Sequence, residues 1–274
     1  MILPLALGLS FYYWQSARRS SRRTWRSLLA NLGNPDLVKC LLFLLAAAIL
    51  LLAIVFSFSR MGMSSTLVSL GVMSAIAWIG KKRSPFPAAL IALLIAGGIA
   101  VAVWVGVGPV VEHFEQLSQN EPLAGGEGRV ALWRDVLALI RQRPWTGVGL
   151  GCFEHAFTRV QSVQLTYVAD HAHNDYLEAA AELGIPCAAI LFVVFFWLAA
   201  RMWQASLRAR SSLTRSLALG SLGGASALLV HSLADFNLHI PANALVFAVI
   251  LGLGYAMFLD ASASAREIKA PQSG

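Results

Sequence analysis

The sequence has 274 residues, of which 57% are hydrophobic and only 13% are charged. A soluble globular domain carries more charge than this, so the composition excludes that class and predicts an integral membrane protein. The formal net charge of +7 does not indicate nucleic-acid binding, because no basic stripe is interleaved with stacking aromatic residues.

Apolar runs along the chain predict an all-α, polytopic membrane helix bundle of about six spans, since a helix needs about 20 mostly apolar residues to cross a bilayer. In chain order the runs cover about residues 37–58, 65–80, 87–111, 185–203, 216–233 and 244–259. The second run is the weakest prediction, because it is short and contains serines. Residues 1–14 are too short to cross alone, and they predict an interfacial helix or the remnant of a longer span.

The positions of lysine and arginine predict the orientation of these spans, because basic residues in short loops remain in the cytoplasm. Fifteen of the 21 basic residues lie in segments that six alternating spans place on one side. Both termini are therefore predicted to be cytoplasmic. The predicted divisions are a truncated apolar stub with a basic cytoplasmic loop (1–36), three spans (37–111), a periplasmic loop (112–186), three spans (187–261) and a cytoplasmic tail (262–274).

The loop of residues 112–186 is the most polar part of the chain and holds ten of its fourteen acidic residues. An amphipathic helix is predicted over residues 128–143, with Arg129 in its first turn. The glycine-rich segment GVGLG that follows predicts a turn at which backbone can approach a ligand closely. We expect the active site in this large, partly helical loop.

The segment DHAHNDYLEAAAELG predicts a second helix in the same loop. Asn174 or Asp175 is suited to cap its N-terminus, and Gly184 is suited to end it. His173 then lies directly before a helix N-terminus, close to His171. The HAH triplet is a weak indication of a metal site and the chain has no Cys/His metal spacing, so no metal and no other cofactor is predicted.

Four motifs occur in order along the chain: SRMG at the outer end of a span, GR…W…I…RPWTGVGLGCF, HNDYLEAAAELGI, and HSLADFNLHIPANA before the last span. From about residue 57 to residue 259 the sequence resembles the carboxy-terminal half of the bacterial O-antigen ligase and O-antigen polymerase superfamily. The resemblance implies a GT-C-like multi-helix fold in the inner membrane. It also implies metal-independent transfer of a glycan from undecaprenyl pyrophosphate to a hydroxyl of an acceptor, either a glycan or a lipid A-core, at the periplasmic face.

The resembled proteins have an additional amino-terminal half with further spans. The resemblance therefore implies a gene fragment, one half of a split enzyme whose missing helices come from a second chain, or an inactive remnant. The alternatives to a ligase are an O-antigen polymerase, a protein O-oligosaccharyltransferase, and a truncated non-catalytic membrane protein that binds the carrier lipid.

Charge and proton transfer in such a reaction select the candidate site residues. Without a metal ion, arginine must stabilise the leaving pyrophosphate, which predicts Arg60 and Arg129 as its ligands. A histidine near neutral pKa is suited to take the acceptor proton, which predicts His173 as the general base. Each of these residues also has an alternative role outside catalysis. Arg60 would extend its side chain from the span to the membrane surface, Arg129 would be solvated at a helix start, and His173 would only hydrogen-bond to backbone. Secondary candidates for substrate contact or positioning are His171, Arg134, Asp175, Glu178, His231, Asp235 and His239.

Overall fold

The computed structural model describes residues 1–20, 33–79, 126–162 and 169–267, and no strand occurs in these ranges. The elements in order are α1 (Ile2–Ser20), α2 (Pro35–Phe56), α3 (Arg60–Ile79), α4 (Gly126–Gln142), α5 (Phe153–Phe157), α6 (Asp175–Leu183), α7 (Ile185–Arg208), α8 (Ser212–His231), a 3-10 turn (Asn237–His239) and α9 (Pro241–Glu267). The predicted all-α class is confirmed.

Five of these helices, α2, α3, α7, α8 and α9, are long and apolar enough to cross a membrane. They correspond to five of the six predicted spans, and the predicted span over residues 87–111 lies outside the described residues. Several helices extend beyond the predicted spans, whereas α2 and α8 each end two residues before the predicted end. Helix α3 begins at Arg60, α7 continues to Arg208, and α1 continues past residue 14 to Ser20, because arginine and serine at span ends prolong a helix into the polar interface at little cost.

The described residues fall into two compact units, and α7, α8 and α9 contribute residues to both. The first unit combines residues 1–100, 197–228 and 245–274. Within it α1 packs against α2 and against α8, where a side chain on Gly220 would lie 2.9 Å from the Leu5 Cα atom. Small residues let helix backbones approach closely inside a membrane. Some serine hydroxyls of this unit bind backbone carbonyls of a neighbouring helix, as where Ser69 donates to the Gly223 carbonyl at 2.7 Å.

The second unit combines residues 101–196 and 229–244 and contains the loop that the sequence marks as functional. Its core consists of apolar side chains of α4, α5 and α6 together with the segment before α6, including Leu132, Val136, Phe153, Phe157 and Ala172. These positions in α4 recur at helical spacing, as predicted for an amphipathic helix. The core therefore fixes α6 against α4 and gives the functional residues a rigid support.

A tight turn joins α6 to α7. Gly184 has a φ of 79°, in the region that favours glycine, and ends α6 as predicted. The amides of Val148 and Gly149 donate to the carbonyls of Ala181 and Glu182 at 2.9 and 3.0 Å, and Ile185 donates to the Pro144 carbonyl at 2.8 Å. The loop between α4 and α5 thus satisfies the open carbonyls at the end of α6.

Candidate functional site

The N-terminus of α6 is bound to the segment that links α8 to α9, residues 231–240, called here the connector. Asn174 is the N-cap, as predicted, and its Oδ1 accepts from the amides of Tyr176 and Leu177 at 3.0 and 3.1 Å. Its Nδ2 donates to the Leu233 carbonyl at 2.9 Å. The Asp175 amide donates to the carbonyls of Ser232 and Asp235. These bonds place connector side chains beside the predicted catalytic histidine.

His173 faces Asp235 of the connector. Its Nδ1 lies 3.9 Å from Asp235 Oδ1, an ion-pair distance longer than a hydrogen bond, and it is buried without a hydrogen-bond partner among the described residues. His231 Nε2 lies 3.2 Å from the other carboxylate oxygen. His173 has a φ of 48°, a left-handed conformation that is uncommon outside glycine and often accompanies functional sites.

Two imidazoles determine the charge state of Asp235. Burial alone would raise the pKa of this carboxyl, but the neighbouring His173 and His231 and the Phe236 amide together hold it well below its usual range. Asp235 is therefore an anion at neutral pH. A carboxylate facing Nδ1 of a histidine favours a proton on that nitrogen and leaves Nε2 free to accept one.

Arg129 lies in the first turn of α4, as predicted, and reaches the same connector. Its Nη1 donates to the carbonyl of Ala234, the residue before Asp235, at 3.2 Å. Its Nε is buried and has no hydrogen-bond partner among the described residues. A half-buried guanidinium with an unused buried donor can bind an anion.

Helix α6 carries three acidic residues on one face along its whole length, at positions i, i+3 and i+7: Asp175, Glu178 and Glu182. At most 2% of each residue is exposed. Buried carboxyl groups require hydrogen bonds or cations. Asp175 accepts from the Leu238 amide at 3.1 Å, Glu178 from the Ala172 amide at 2.8 Å and Glu182 from the Phe153 amide at 3.1 Å.

His239 in the 3-10 turn meets this acidic face. Its Nδ1 lies 2.9 Å from Asp175 Oδ1, and its Nε2 lies 3.4 Å from Glu178 Oε1 and 3.8 Å from Glu182 Oε2. Burial alone would lower the pKa of His239, but the hydrogen bonds and charges of these three acids raise it to about 10. His239 is therefore an imidazolium at neutral pH.

His171 occupies the other side of Glu178. Its Nδ1 is 2.7 Å from Glu178 Oε1, and its ring stacks on Phe236 with a centroid distance of 4.2 Å. His173 meets the same Phe236 ring edge-on at 5.2 Å. One aromatic side chain of the connector thus positions both histidines of the HAH triplet. From α4, Trp133 Nε1 donates at 3.0 Å to the carbonyl of Ala172, the residue between them.

One group in this region also has the spacing of a metal site. His171, Glu178 and His239 each offer one ligand atom, and these atoms lie within 4.8 Å of one another. The sequence did not predict this group, because His239 follows Glu178 by more than sixty residues. The acidic face itself was detectable from the spacing of the three acids on a predicted helix.

The structure brings together many of the residues that the sequence singled out: Arg129, His171, His173, Asp175, Glu178, His231, Asp235 and His239. Arg134 is exposed on α4, and the carboxylate of Asp175 is buried in the contacts described above. Arg60 is exposed at the first residue of α3, in the first unit. The roles of these residues in substrate binding and catalysis stay predictions.

The raised pKa of His239 predicts a pH-dependent stability. A histidine whose pKa is higher in the folded state adds stability that is complete below its unfolded value and is lost as the pH rises through the folded value. We expect the melting temperature of the detergent-solubilised protein to fall more steeply between about pH 6.5 and about pH 10 than that of a His239→Gln variant. Exposed His155→Gln is the matched control. Parallel curves for wild type and His239→Gln would show that the imidazolium does not stabilise the fold.

Comparison with protein families matches residues 45–192 to a profile described as O-antigen ligase. No curated protein matched the chain in a sequence search. The matched residues include Arg60, Arg129, His171 and His173, whereas the connector lies beyond them. Because the match covers more than half of the sequence, this membrane protein belongs to the O-antigen ligase family, whose members are ligases or glycosyltransferases.

Proposed function

We propose that this protein transfers a glycan from undecaprenyl pyrophosphate to an acceptor hydroxyl at the periplasmic face of the bacterial inner membrane. The observation that carries the proposal is the pairing of His173 with the ionised Asp235, next to the connector carbonyl that Arg129 binds. A proton acceptor and a cation that binds an anion are the two groups that this transfer requires, and here they contact the neighbouring connector residues Asp235 and Ala234.

In the proposed reaction the acceptor oxygen forms a bond to the anomeric carbon of the donor. The bond from that carbon to the pyrophosphate oxygen breaks, and its electron pair leaves on the pyrophosphate. The acceptor proton passes to Nε2 of His173, and Asp235 stabilises the imidazolium that results. The guanidinium of Arg129 offsets the negative charge that develops on the leaving group.

Arg60 is proposed for the same pyrophosphate group on the strength of the SRMG motif. A charged side chain at the end of a membrane span requires water, an anion or a polar cavity, which is consistent with a role near a charged lipid headgroup. Asp175 is proposed as a support for the site through His239, because its carboxylate is buried against that ring. Arg134, exposed on α4, is proposed to contact the glycan or phosphate of the substrate.

Other functions use the same donor and differ in the acceptor. A polymerase adds the glycan to a second lipid-linked glycan, a ligase to a lipid A-core, and an oligosaccharyltransferase to a protein hydroxyl. A second class of function is carrier-lipid binding without catalysis. The family assignment favours an enzyme, and we therefore propose the ligase reaction, with the polymerase and oligosaccharyltransferase reactions as alternatives.

The experiment that tests the function uses the purified full chain in liposomes with a radiolabelled undecaprenyl pyrophosphate glycan. Three parallel reactions contain lipid A-core, a second lipid-linked glycan, or an acceptor protein. We expect label to transfer to lipid A-core in the presence of EDTA, because arginine replaces a metal in the proposed mechanism. Transfer in only one of the other reactions would reassign the acceptor. Donor binding without transfer to any acceptor would favour the non-catalytic function.

A further inference from the structure

Two apolar side chains that lie outside the membrane spans are highly exposed. Trp145 and Leu150, both in the loop between α4 and α5, are 77% and 75% exposed, the two largest values among the large apolar residues that the structure describes. Exposed apolar side chains are expected on a membrane span, because lipid surrounds them. A loop outside the spans has no such explanation, and apolar side chains clustered on a surface mark a contact with another molecule.

The backbone fixes this loop against the start of α7, the span that begins at Ile185. The Ile185 amide donates at 2.8 Å to the carbonyl of Pro144, the residue before Trp145. A side chain on Gly184, the residue before the span, would collide with the Trp145 carbonyl, so this close approach requires glycine. The loop therefore cannot leave the start of the span without losing these contacts.

The level of Trp145 along the span follows from this attachment. Its carbonyl lies against Gly184, and a helix rises by only about 1.5 Å per residue, so its backbone is level with the first turn of α7. The end of a membrane span lies among the lipid headgroups, where tryptophan is enriched because its ring is apolar and its N–H is polar. Ile185 is itself half-exposed, so the loop and the span present adjacent apolar surfaces.

Basic side chains accompany this apolar surface. Arg141 lies in the last turn of α4 and Arg143 directly follows the helix; both are exposed, and neither side chain has a hydrogen bond or ion pair within the described residues. Leu137, four residues before Arg141 and thus on the same face of α4, is also exposed. Residues 136–153 contain no acidic residue. Arginine beside tryptophan and leucine is the combination that binds an anionic membrane surface.

We propose that the end of α4 and the α4–α5 loop form a membrane-surface anchor that binds anionic phospholipids. Trp145 and Leu150 enter the boundary between headgroups and acyl chains. Arg141 and Arg143 bind the lipid phosphates, for which their charge is complementary. Continuity with a span selects lipid over a protein partner. Because the core of the second unit packs α4 against α6, the anchor also restrains α6 relative to the membrane surface.

Spin-label accessibility measures the depth of the loop directly. A nitroxide is attached to the full chain at Thr146→Cys, an exposed position next to Trp145, with the three native cysteines replaced by alanine or serine. The protein is placed in vesicles of phosphatidylcholine and phosphatidylglycerol in equal parts. We expect this label to collide more often with oxygen, which concentrates in the bilayer, than with a neutral water-soluble nickel complex.

Two further single-label proteins calibrate the measurement. A label on the native Cys187, the third residue of α7, reports the bilayer, and a label at His155→Cys, exposed on α5, reports water. A label at position 146 that meets the nickel complex as often as the label at position 155 would place the loop in water and overturn the proposal. A label shielded from both reagents would mean that protein covers the loop, which would also contradict it.

The double variant Arg141→Gln/Arg143→Gln tests the part assigned to charge. One arginine near an anionic membrane surface shifts the association equilibrium by about fivefold, so the pair should contribute about 25-fold. We expect nickel accessibility at position 146 to rise in the anionic vesicles and to stay unchanged in vesicles of phosphatidylcholine alone. Arg159→Gln, exposed in the same unit, is the matched control and should have no effect. Equal accessibility in wild type and double variant in anionic vesicles would refute phosphate binding by these arginines. Neither measurement uses glycan transfer, so both results are independent of the proposed function.

Discussion

Replacing His173 with alanine should lower the rate of glycan transfer by about 10²- to 10⁴-fold, the range that a positioned general base contributes. The substitution removes the ring that faces Asp235, which is the group proposed to take the acceptor proton. Alanine is small enough to fit the site. The left-handed backbone conformation at this position is unfavourable for alanine, which lowers the stability of the fold and does not change the chemistry of transfer. The measurement is the initial rate at saturating donor and acceptor, with membrane insertion checked by fluorescence size-exclusion chromatography.

The matched control for this prediction is His155→Ala, because His155 is an exposed histidine on α5 in the same unit. Its transfer rate should be indistinguishable from wild type. A His173→Ala protein that inserts correctly and transfers at the wild-type rate would remove His173 from the mechanism.

Replacing Arg129 with lysine should lower the transfer rate by about 10²-fold or more, although the charge is retained. The lysine cannot present the two-pronged donor that binds phosphate, and it loses the contact between Nη1 and the Ala234 carbonyl. We expect the Michaelis constant for the lipid-linked donor to rise and that for the acceptor to stay unchanged. The measurement is a full kinetic analysis in liposomes with each substrate varied in turn.

Arg141→Lys provides the comparison, because Arg141 is exposed on the same helix, α4. It should leave both Michaelis constants unchanged. Equal kinetics for Arg129→Lys and wild type would mean that the guanidinium does not hold the leaving group in the transition state.

Local sequence signals predicted the fold well. The apolar runs identified five long helices, because a helix that crosses a membrane needs about 20 consecutive, mostly apolar residues, and this pattern is visible in the local sequence. Asn174 was found as an N-cap and Gly184 as a helix end from their side-chain and backbone preferences alone. Helix ends were less accurate, as at Arg60, because a polar residue in the first turn of a span gives no local signal against helix.

The long-range partners in the site could not be derived from the sequence. The pairing of Asp175 with His239 joins residues separated by 64 positions and depends on how the connector returns to α6. The sequence offered Glu178 only as a secondary candidate for substrate contact or positioning and did not predict its burial, since acidic residues are rarely buried. The 175, 178 and 182 spacing marked one face of the helix, but only tertiary structure shows that this face is buried.

The bonds from Asn174 and Asp175 to the connector carbonyls have a consequence for mutagenesis. The carbonyls of Ser232, Leu233 and Asp235, which bind the N-terminus of α6, belong to the same short connector that carries the side chains of Asp235, Phe236 and His239, so a substitution that breaks these bonds disturbs more than one of the side chains. Loss of function in a scan of residues 231–240 would therefore report collapse of a shared scaffold as readily as loss of one contact. Conservative replacements that keep side-chain shape, such as Asp235→Asn, are the ones that can assign a chemical role there.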